Sequence, residues 1–216
     1  MKYIFSCILT ILALSTYSQT EIKTFVNSNT IPIQSINPDS SNYSDFEGIG
    51  NAIGNARIVM LGEQDHGDAP TFFAKTRLIQ YLHEKKGFNV IAFESDFFSA
   101  TCGFENSNKT KQDFLKFYKA NVVPCWTLCD ASSPLFTKVI PESFATSNPY
   151  IVAGFDNQMF YKHSTSNLSP FIDSLIRDYK LEILNNEQLF KSLLSSIKTL
   201  SNPMLNKTYG SLPHYP

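Results

Sequence analysis

Three short, largely apolar runs at 57–61, 89–93 and 150–153 constrain the fold of this chain more than any other feature. None of them alternates apolar with polar residues, a pattern typical of strands that are buried on both faces of a parallel sheet. A helical pattern at 71–86, closed by Gly87, separates the first two runs. Strand, helix and strand in this order predict a right-handed parallel βαβ unit. The expected fold class is therefore α/β, with a parallel-sheet core and flanking helices.

Further helices are predicted wherever apolar residues recur at helical spacing, namely at 45–53, 111–120, 134–144, 169–179 and 187–200. The helix at 134–144 should be interrupted or end at Pro141, which lacks an amide hydrogen.

The domain organisation follows from these elements. Residues 19–55 are expected to form an irregular lead-in, with one short edge strand at 31–36. Residues 56–216 are expected to form one domain, a usual size for a single unit. No regular element is recognisable after Asn202, so this domain is predicted to be incomplete at its C-terminus.

The N-terminus predicts export. Lys2 is followed by an apolar run at 3–14 and by small residues at 15–18, the pattern of a signal peptide covering residues 1–18. Cleavage is expected between Ser18 and Gln19. The apolar run is shorter than the roughly 20 residues of a membrane-spanning helix. We therefore expect a periplasmic or secreted protein with no stable membrane anchor after cleavage; an uncleaved anchor is the alternative.

Charge and cysteine content narrow the function classes. Eighteen basic and 19 acidic residues give a formal charge of −1, so the sequence predicts no nucleic-acid partner. In an oxidising compartment, Cys102, Cys125 and Cys129 would be expected to form one disulfide and leave one buried thiol, with the pairing open. Zinc binding is a weaker alternative, because the Cys-x3-Cys spacing has no matching second pair of ligands.

Polar residues that could take part in catalysis or ligand binding follow each predicted strand. Glu63 and His66 follow the first, Glu94 the second and Asp156 the third. Because ligands bind outside the carboxyl ends of parallel strands, these four side chains are expected to surround one crevice. A carboxylate beside an imidazole orients the ring and raises its basicity, as a general base near neutral pH requires.

Two other interpretations of the first motif remain open. Glu63 and His66 could be solvated loop residues beside a helix cap at Asp65 or Asp68. They could also contribute to a divalent metal site, since Glu-x-x-His is a known ligand spacing; no other cofactor is predicted. The sequence contains no Gly-x-Ser-x-Gly elbow, dinucleotide-binding fingerprint or P-loop. Aromatic residues near the crevice could line a ligand site or belong to the core: Phe72, Phe73, Phe97, Phe98 and Trp126.

Several segments together resemble the erythromycin esterase family. Residues 58–67 read IVMLGEQDHG and residues 87–94 read GFNVIAFE. The VAGFD sequence at 152–156 is similar to the family's third-strand signature, and 122–130 lies where the family has a Trp-containing segment. The helix between the first two motifs carries Lys75, Arg77 and Leu78. The similarity covers residues 56–158, and it implies a fold of the erythromycin esterase or haem-uptake lipoprotein type.

The resemblance also implies an activity. Members of the family hydrolyse esters, including a macrolide lactone, by water attack on the carbonyl carbon. Carried over, His66 would be the general base, Glu63 its partner in the motif and Glu94 the second acidic residue. Asp156, selected from its place after the third predicted strand rather than from the resemblance, is expected to contact a small-molecule ester substrate.

The match also leaves alternatives open. The family's chains are longer and supply a second catalytic histidine from beyond residue 216, which neither His163 nor His214 matches. The chain is therefore expected to be a truncated member. Its alternatives are a haem- or metal-binding exported protein on the related fold, or an inactive fragment.

Overall fold

The computed structural model describes residues 20–62, 65 and 68–202. Helices dominate this part of the chain, and they pack around a sheet of two parallel strands, β1 (Val90–Asp96) and β2 (Ile151–Asp156). The α/β class is thus confirmed, and so is the parallel alignment of the predicted strands at 89–93 and 150–153.

Most of the helices predicted from the sequence are present among the described residues. In chain order they are α1 (20–29), α2 (Glu47–Ile53), α3 (Ala69–Lys86), α4 (Phe97–Glu105), α5 (Lys111–Asn121), α6 (Pro124–Thr127), α7 (Ile140–Ser143), α8 (Lys162–Asp178) and α9 (Glu187–Leu200). A π-helical turn at Leu135–Val139 leads into α7, which runs through Pro141 to Ser143; the regular helix is therefore interrupted before the proline and does not end at it, as had been predicted. Helix α8 begins earlier than predicted and continues through Pro170. Helices α4 and α6 were not predicted.

The first predicted strand is wrong in this structure. Residues 57–62 form no strand, and Ile58 and Met60 are 78% and 85% exposed. A strand is stabilised only where a neighbour accepts and donates its backbone hydrogen bonds, and the described part of the chain provides none here. The βαβ unit predicted over 57–93 is therefore not formed, and β1 pairs instead with the distant β2.

The two strands are buried on one face only, contrary to the prediction of burial on both. Phe93 and Val152 point into the helical side, while Ile151 and Phe155 on the opposite face are 40% and 64% exposed. Helix α4 covers the inner face of β2. The core behind this face is largely aromatic, with Phe136 stacked on Phe93 and on Tyr118 at ring-centroid distances of 5.1 and 4.7 Å.

The lead-in is more ordered than predicted. Residues 20–29 form the exposed helix α1, and 31–36 do not form the predicted edge strand. A buried ion pair ties the lead-in to α3: Arg77 donates two hydrogen bonds to Asp45, at 2.7 and 2.8 Å, and a third to the carbonyl of Ser35 at 2.6 Å. The guanidinium also lies 4.3 Å from the ring centre of Phe46. Hydrogen bonds from Arg77 hold the pKa of Asp45 down, at about 2.

The cysteine prediction is corrected as well. No disulfide joins Cys102, Cys125 and Cys129, which lie partly exposed on α4, on α6 and just after α6. The predicted signal peptide at 1–18 lies outside the described residues. Among the helices that are described, none has the length and apolar character needed to cross a membrane.

Candidate functional site

The site predicted from the sequence is centred on the carboxyl ends of the strands. Glu94 lies near the end of β1 and is exposed, while Asp156 is the last residue of β2 and is half-buried. Past an irregularity in the ladder, Asp96 lies opposite Asp156. Glu94 and Asp156 therefore lie at the same end of the sheet. Glu63 and His66 are outside the described residues.

The segment that carries Glu63 and His66 leads directly into α3. Asp68 occupies the N-cap position of this helix, and its carboxylate accepts a hydrogen bond from the Thr71 hydroxyl rather than from a backbone amide of the first turn. The Asp68 amide donates to the carbonyl of Asp65 at 3.5 Å. Asp68 thus lies at the start of α3. The alternative interpretation of the motif had placed a helix cap at Asp65 or Asp68.

Trp126 connects the start of α3 with β1. Its indole N–H donates to the backbone carbonyl of Glu94 at 3.3 Å, and its ring meets Phe72 edge-on at a centroid distance of 5.4 Å. The Lys75 ammonium lies over both rings, 5.4 Å from the centre of Phe72 and 5.7 Å from that of Trp126. Helix α6 contributes Trp126, and α3 contributes Phe72 and Lys75, so an aromatic surface and a cation lie beside the backbone of Glu94.

Asp96, which sequence reasoning did not select, is the buried node of this end of the sheet. Its side chain accepts hydrogen bonds from the amide of Ser99 and the hydroxyl of Ser164, both at 2.8 Å, and from the amide of Tyr161 at 3.0 Å. Ser99 and Ser164 are also bonded to each other. Asp96 therefore joins the end of β1 to the N-termini of α4 and α8. Its position immediately before an apolar helix was the only signal in the sequence.

Gly154 allows the two strand ends to approach closely. A Cβ atom at this position would lie 2.6 Å from the Asp96 carbonyl oxygen and 2.7 Å from that of Ser95. Backbone atoms cannot move aside as a flexible side chain can, so the glycine in the VAGFD segment has a packing role.

Tyr161 adds a hydroxyl group to the same region. It occupies the N-cap position of α8. Burial, together with the nearby Cys125, Asp96 and Asp156, raises the pKa of this hydroxyl well above its ordinary value. Sequence reasoning missed Tyr161, because nothing in its immediate sequence distinguishes it from a structural aromatic residue.

Two histidines outside the motif have packing roles. His83 stacks on Tyr150 at a centroid distance of 4.0 Å, and its Nε2 lies 2.8 Å from the carbonyl oxygen of Asn148. His163 packs against Phe98 at 5.4 Å, and burial lowers the pKa of its imidazole.

Two further features bear on ligands. An open groove of about 310 Å³ lies beside α3 and is lined in part by Met60, Leu61, Gly62, Thr71 and Lys75, next to the first motif. Within residues 20–62, 65 and 68–202, no three His, Cys, Asp or Glu side chains come together as a metal site. Glu63 and His66 lie outside these ranges.

Known proteins resemble the chain over part of their length. No family model matches it. It is 30% identical over 164 residues to "Putative hydrolase YbfO" of Bacillus subtilis (strain 168). The aligned region covers 74% of this chain and 36% of that protein. It is 36% identical over 73 residues to "Erythromycin esterase type II" of Escherichia coli, which covers 34% of this chain and 17% of the other.

Solved structures share the fold. A succinoglycan biosynthesis protein aligns with a TM-score of 0.62 and 21% identity, over 88% of this chain and 48% of its own. A protein from Bacillus cereus aligns with a TM-score of 0.57 and 19% identity, over 88% of this chain and 50% of its own. The chain thus spans about half of each solved structure and about a third or less of each curated relative. It is related to proteins named as hydrolases and has an α/β fold.

Proposed function

We propose that this protein is a hydrolase of the erythromycin esterase type, which cleaves a small-molecule ester or lactone with His66 as general base. The observation that carries this proposal is the similarity to two curated relatives, one named as a hydrolase and one as an erythromycin esterase. The placement of Glu94 and Asp156 at one end of the sheet supports it.

Contacts around α3 support a location of the first motif near Glu94. The segment with Glu63 and His66 ends where α3 begins, at Ala69. Phe72, in the first turn of that helix, contacts Trp126, and Trp126 is hydrogen-bonded to the backbone of Glu94. A chain of direct contacts thus leads from the start of α3 to β1.

In the proposed reaction, a water molecule attacks the ester carbonyl carbon while His66 accepts its proton. Collapse of the tetrahedral intermediate breaks the bond to the alcohol oxygen, which takes that proton and leaves as the alcohol. Glu63 would orient the imidazole and stabilise its protonated form, and Glu94 would be the second acidic residue of the site.

The test is hydrolysis of p-nitrophenyl esters and of a macrolide lactone by the purified protein. His66→Ala should lower kcat/KM by about 10²–10⁴-fold, the usual range for a positioned base, and Glu63→Gln should lower it in the same direction. His83→Gln is the matched control, because His83 packs on Tyr150, away from the strand ends.

Other outcomes separate the alternatives. Loss of activity on adding a chelator would indicate a metal-bound rather than a free His66. Undiminished turnover in His66→Ala would contradict the proposed base, and no hydrolysis of any ester by the wild type would contradict the activity itself. A Soret band on adding haem, without hydrolysis, would favour the haem-binding alternative.

We also propose that the protein is exported, with cleavage after Ser18. The intact mass of the protein recovered from the periplasm or the medium should begin at Gln19. Recovery of the chain with residues 1–18 attached would contradict this.

A further inference from the structure

We propose that the groove beside α3 holds an aliphatic chain of the substrate, so that the substrates are esters with such a chain on one side of the ester bond. This inference rests on the ester hydrolysis proposed above and adds a substrate class to it. The groove has a volume of about 310 Å³, and it is lined by residues on both sides of the motif with Glu63 and His66.

One face of α3 forms the floor of the groove. Four residues of this helix line it, namely Thr71, Ala74, Lys75 and Leu78. Residues three, four and seven positions apart share a face of a helix. The two polar residues, Thr71 and Lys75, are at the end of this face nearest the first motif, and Leu78 is at the other end. The floor therefore runs from a polar end beside the motif to an apolar end.

The rest of the described lining is apolar or glycine: Ile33, Phe46, Ile49, Met60, Leu61 and Gly62. Met60 is 85% exposed and Ile33 is 46% exposed. Apolar side chains left open to water around a concave surface are typical of a ligand-binding groove. A ligand that covers them removes their apolar area from water, which favours binding.

The buried ion pair holds one wall of the groove against α3. Phe46 directly follows Asp45, whose carboxylate accepts two hydrogen bonds from Arg77. The same carboxylate accepts a hydrogen bond at 2.9 Å from the amide of Gln34, the residue after Ile33. Both wall residues are thus fixed to α3 before a ligand binds. A preformed site avoids part of the ordering cost of binding.

Both ends of the first motif lie at the groove. Gly62 lines it and directly precedes Glu63. On the other side of the motif, Asp68 accepts a hydrogen bond from the hydroxyl of Thr71, which also lines the groove. The Cα atom of His66 is two residues from that of Asp68, at most about 7.6 Å away. A chain bound in the groove would therefore bring the adjoining ester bond within reach of the motif.

The lining favours an uncharged, aliphatic occupant. None of its described members carries a carboxylate, and Lys75 opposes a cationic group. A polar chain would give up its hydrogen bonds to water and find few partners among the apolar side chains. The volume of about 310 Å³ corresponds to about ten water molecules at about 30 Å³ each, and a methylene group is of similar size, so a chain of about six to eight carbons fits.

Two pairs of esters test the groove, one for each side of the ester bond. p-Nitrophenyl hexanoate and p-nitrophenyl acetate differ by four methylene groups in the acyl chain, whereas hexyl acetate and ethyl acetate differ by four in the alcohol. Each methylene group partly removed from water should raise kcat/KM about two- to threefold, so we expect the longer ester of one pair to be preferred by about 10–100-fold. The pair that shows this preference identifies the side of the ester that occupies the groove.

Two variants should reduce this preference towards one. Ala74→Leu narrows the groove from its floor. Its matched control is Ala120→Leu, because Ala120 is half-buried in α5 and does not line the groove. Met60→Gln makes a wall residue polar at similar size, and at 85% exposure it should leave the fold intact. Ile58→Gln is its control, since Ile58 is 78% exposed in the same segment but is not part of the lining. Thermal unfolding checks that each variant is folded.

Binding provides a readout that does not depend on hydrolysis. 2-Octanone and 2-butanone carry a carbonyl group and chains of different length, but no bond that can be hydrolysed. Ligand-detected NMR measures their binding to the wild type and to Ala74→Leu. Tighter binding of 2-octanone in the wild type, lost in Ala74→Leu, would support the groove as the chain-binding site. If no ester is then cleaved, only the esterase proposal is contradicted.

Other results would overturn the inference. Equal kcat/KM values within both ester pairs, or a preference that Ala74→Leu and Met60→Gln both retain, would overturn the groove as the chain-binding site and leave ester hydrolysis standing. Neither hydrolysis nor chain-dependent binding would overturn both proposals. A dimer in analytical ultracentrifugation that Met60→Gln dissociates would overturn the inference by showing that a second copy of the chain occupies the groove.

Discussion

The two faces of the small sheet differ sharply in what covers them. The inner face is packed against α4 and an aromatic core, whereas the outer face exposes Ile151, Phe155 and the side chain of Glu94. Burial of apolar area is the main favourable contribution to folding. The inner face should therefore account for most of the stability of this region, while the outer face leaves Glu94 accessible to a ligand. The same two strands thus have one packed face and one exposed face.

The largest expected effect compares the same substitution on the two faces. Phe93 is 8% exposed and Phe155 is 64% exposed. Phe93→Ala should lower the free energy of unfolding by about 3–5 kcal/mol, because it removes a buried ring and leaves a cavity. Phe155→Ala should change it by about 0.5 kcal/mol or less. Urea unfolding measures both, and similar losses for the two variants would show that the outer face is covered in solution.

The buried ion pair gives the next effect. Asp45→Asn leaves Arg77 without its charged partner and should cost about 3 kcal/mol. Asp39→Asn is the matched control, because Asp39 pairs with Lys138 at 2.6 Å on the surface and such pairs contribute about 0–1 kcal/mol. Equal losses of unfolding free energy in the two variants would show that the buried ion pair contributes no more to stability than the exposed one.

The same pair predicts an acid dependence. The folded-state pKa of Asp45, about 2, is below the ordinary aspartate pKa of 3.8. A depressed pKa of this kind stabilises the folded state above about pH 3.8, and the contribution is lost as the pH falls towards 2. Unfolding measured between pH 5 and pH 2 should therefore show a shallower decline in Asp45→Asn than in the wild type. Parallel pH profiles would contradict this.

A smaller effect is expected where the strand ends meet. Gly154→Ala should cost about 1–3 kcal/mol, because the added methyl group would press against the backbone of Ser95 and Asp96. Gly62→Ala is the control for added volume, since no atom of the described residues lies within 4 Å of its Cβ position. Differential scanning calorimetry on the two variants compares them directly, and an unshifted Tm for Gly154→Ala would show that the strand ends can separate.

The smallest effect is expected in the segment before the first motif. Ile58→Ser should change the free energy of unfolding by no more than about 0.5 kcal/mol, because Ile58 is 78% exposed. A loss of several kcal/mol would mean that residues 57–61 are buried in solution, as their apolar character predicted.

Local patterns were the part of the fold that could be predicted. The helical spacing at 71–86 and the glycine after it predicted α3, and Gly87 indeed has the left-handed conformation that ends this helix. The spacings at 111–120 and 187–200 predicted α5 and α9 equally well. Capping and side-chain periodicity act within one or two turns, so the sequence contains them directly.

The candidate site was predicted only in part, for a related reason. Glu94 and Asp156 could be selected because each follows an apolar run. Asp96 and Tyr161 could not, because their importance arises from a hydrogen bond between residues 65 positions apart. Contacts of that kind have no local pattern.

By itself, the sequence determined α3, α5 and α9, the two strands that pair, and Glu94 and Asp156 at the strand ends, since these depend on local spacing. Tertiary structure alone decided which apolar runs were buried: 150–153 paired with β1, while 57–61 formed no strand in the described part of the chain. Both runs meet the local requirements of a buried strand. A strand also needs a hydrogen-bonded neighbour and a covering layer, and both come from residues distant in the sequence.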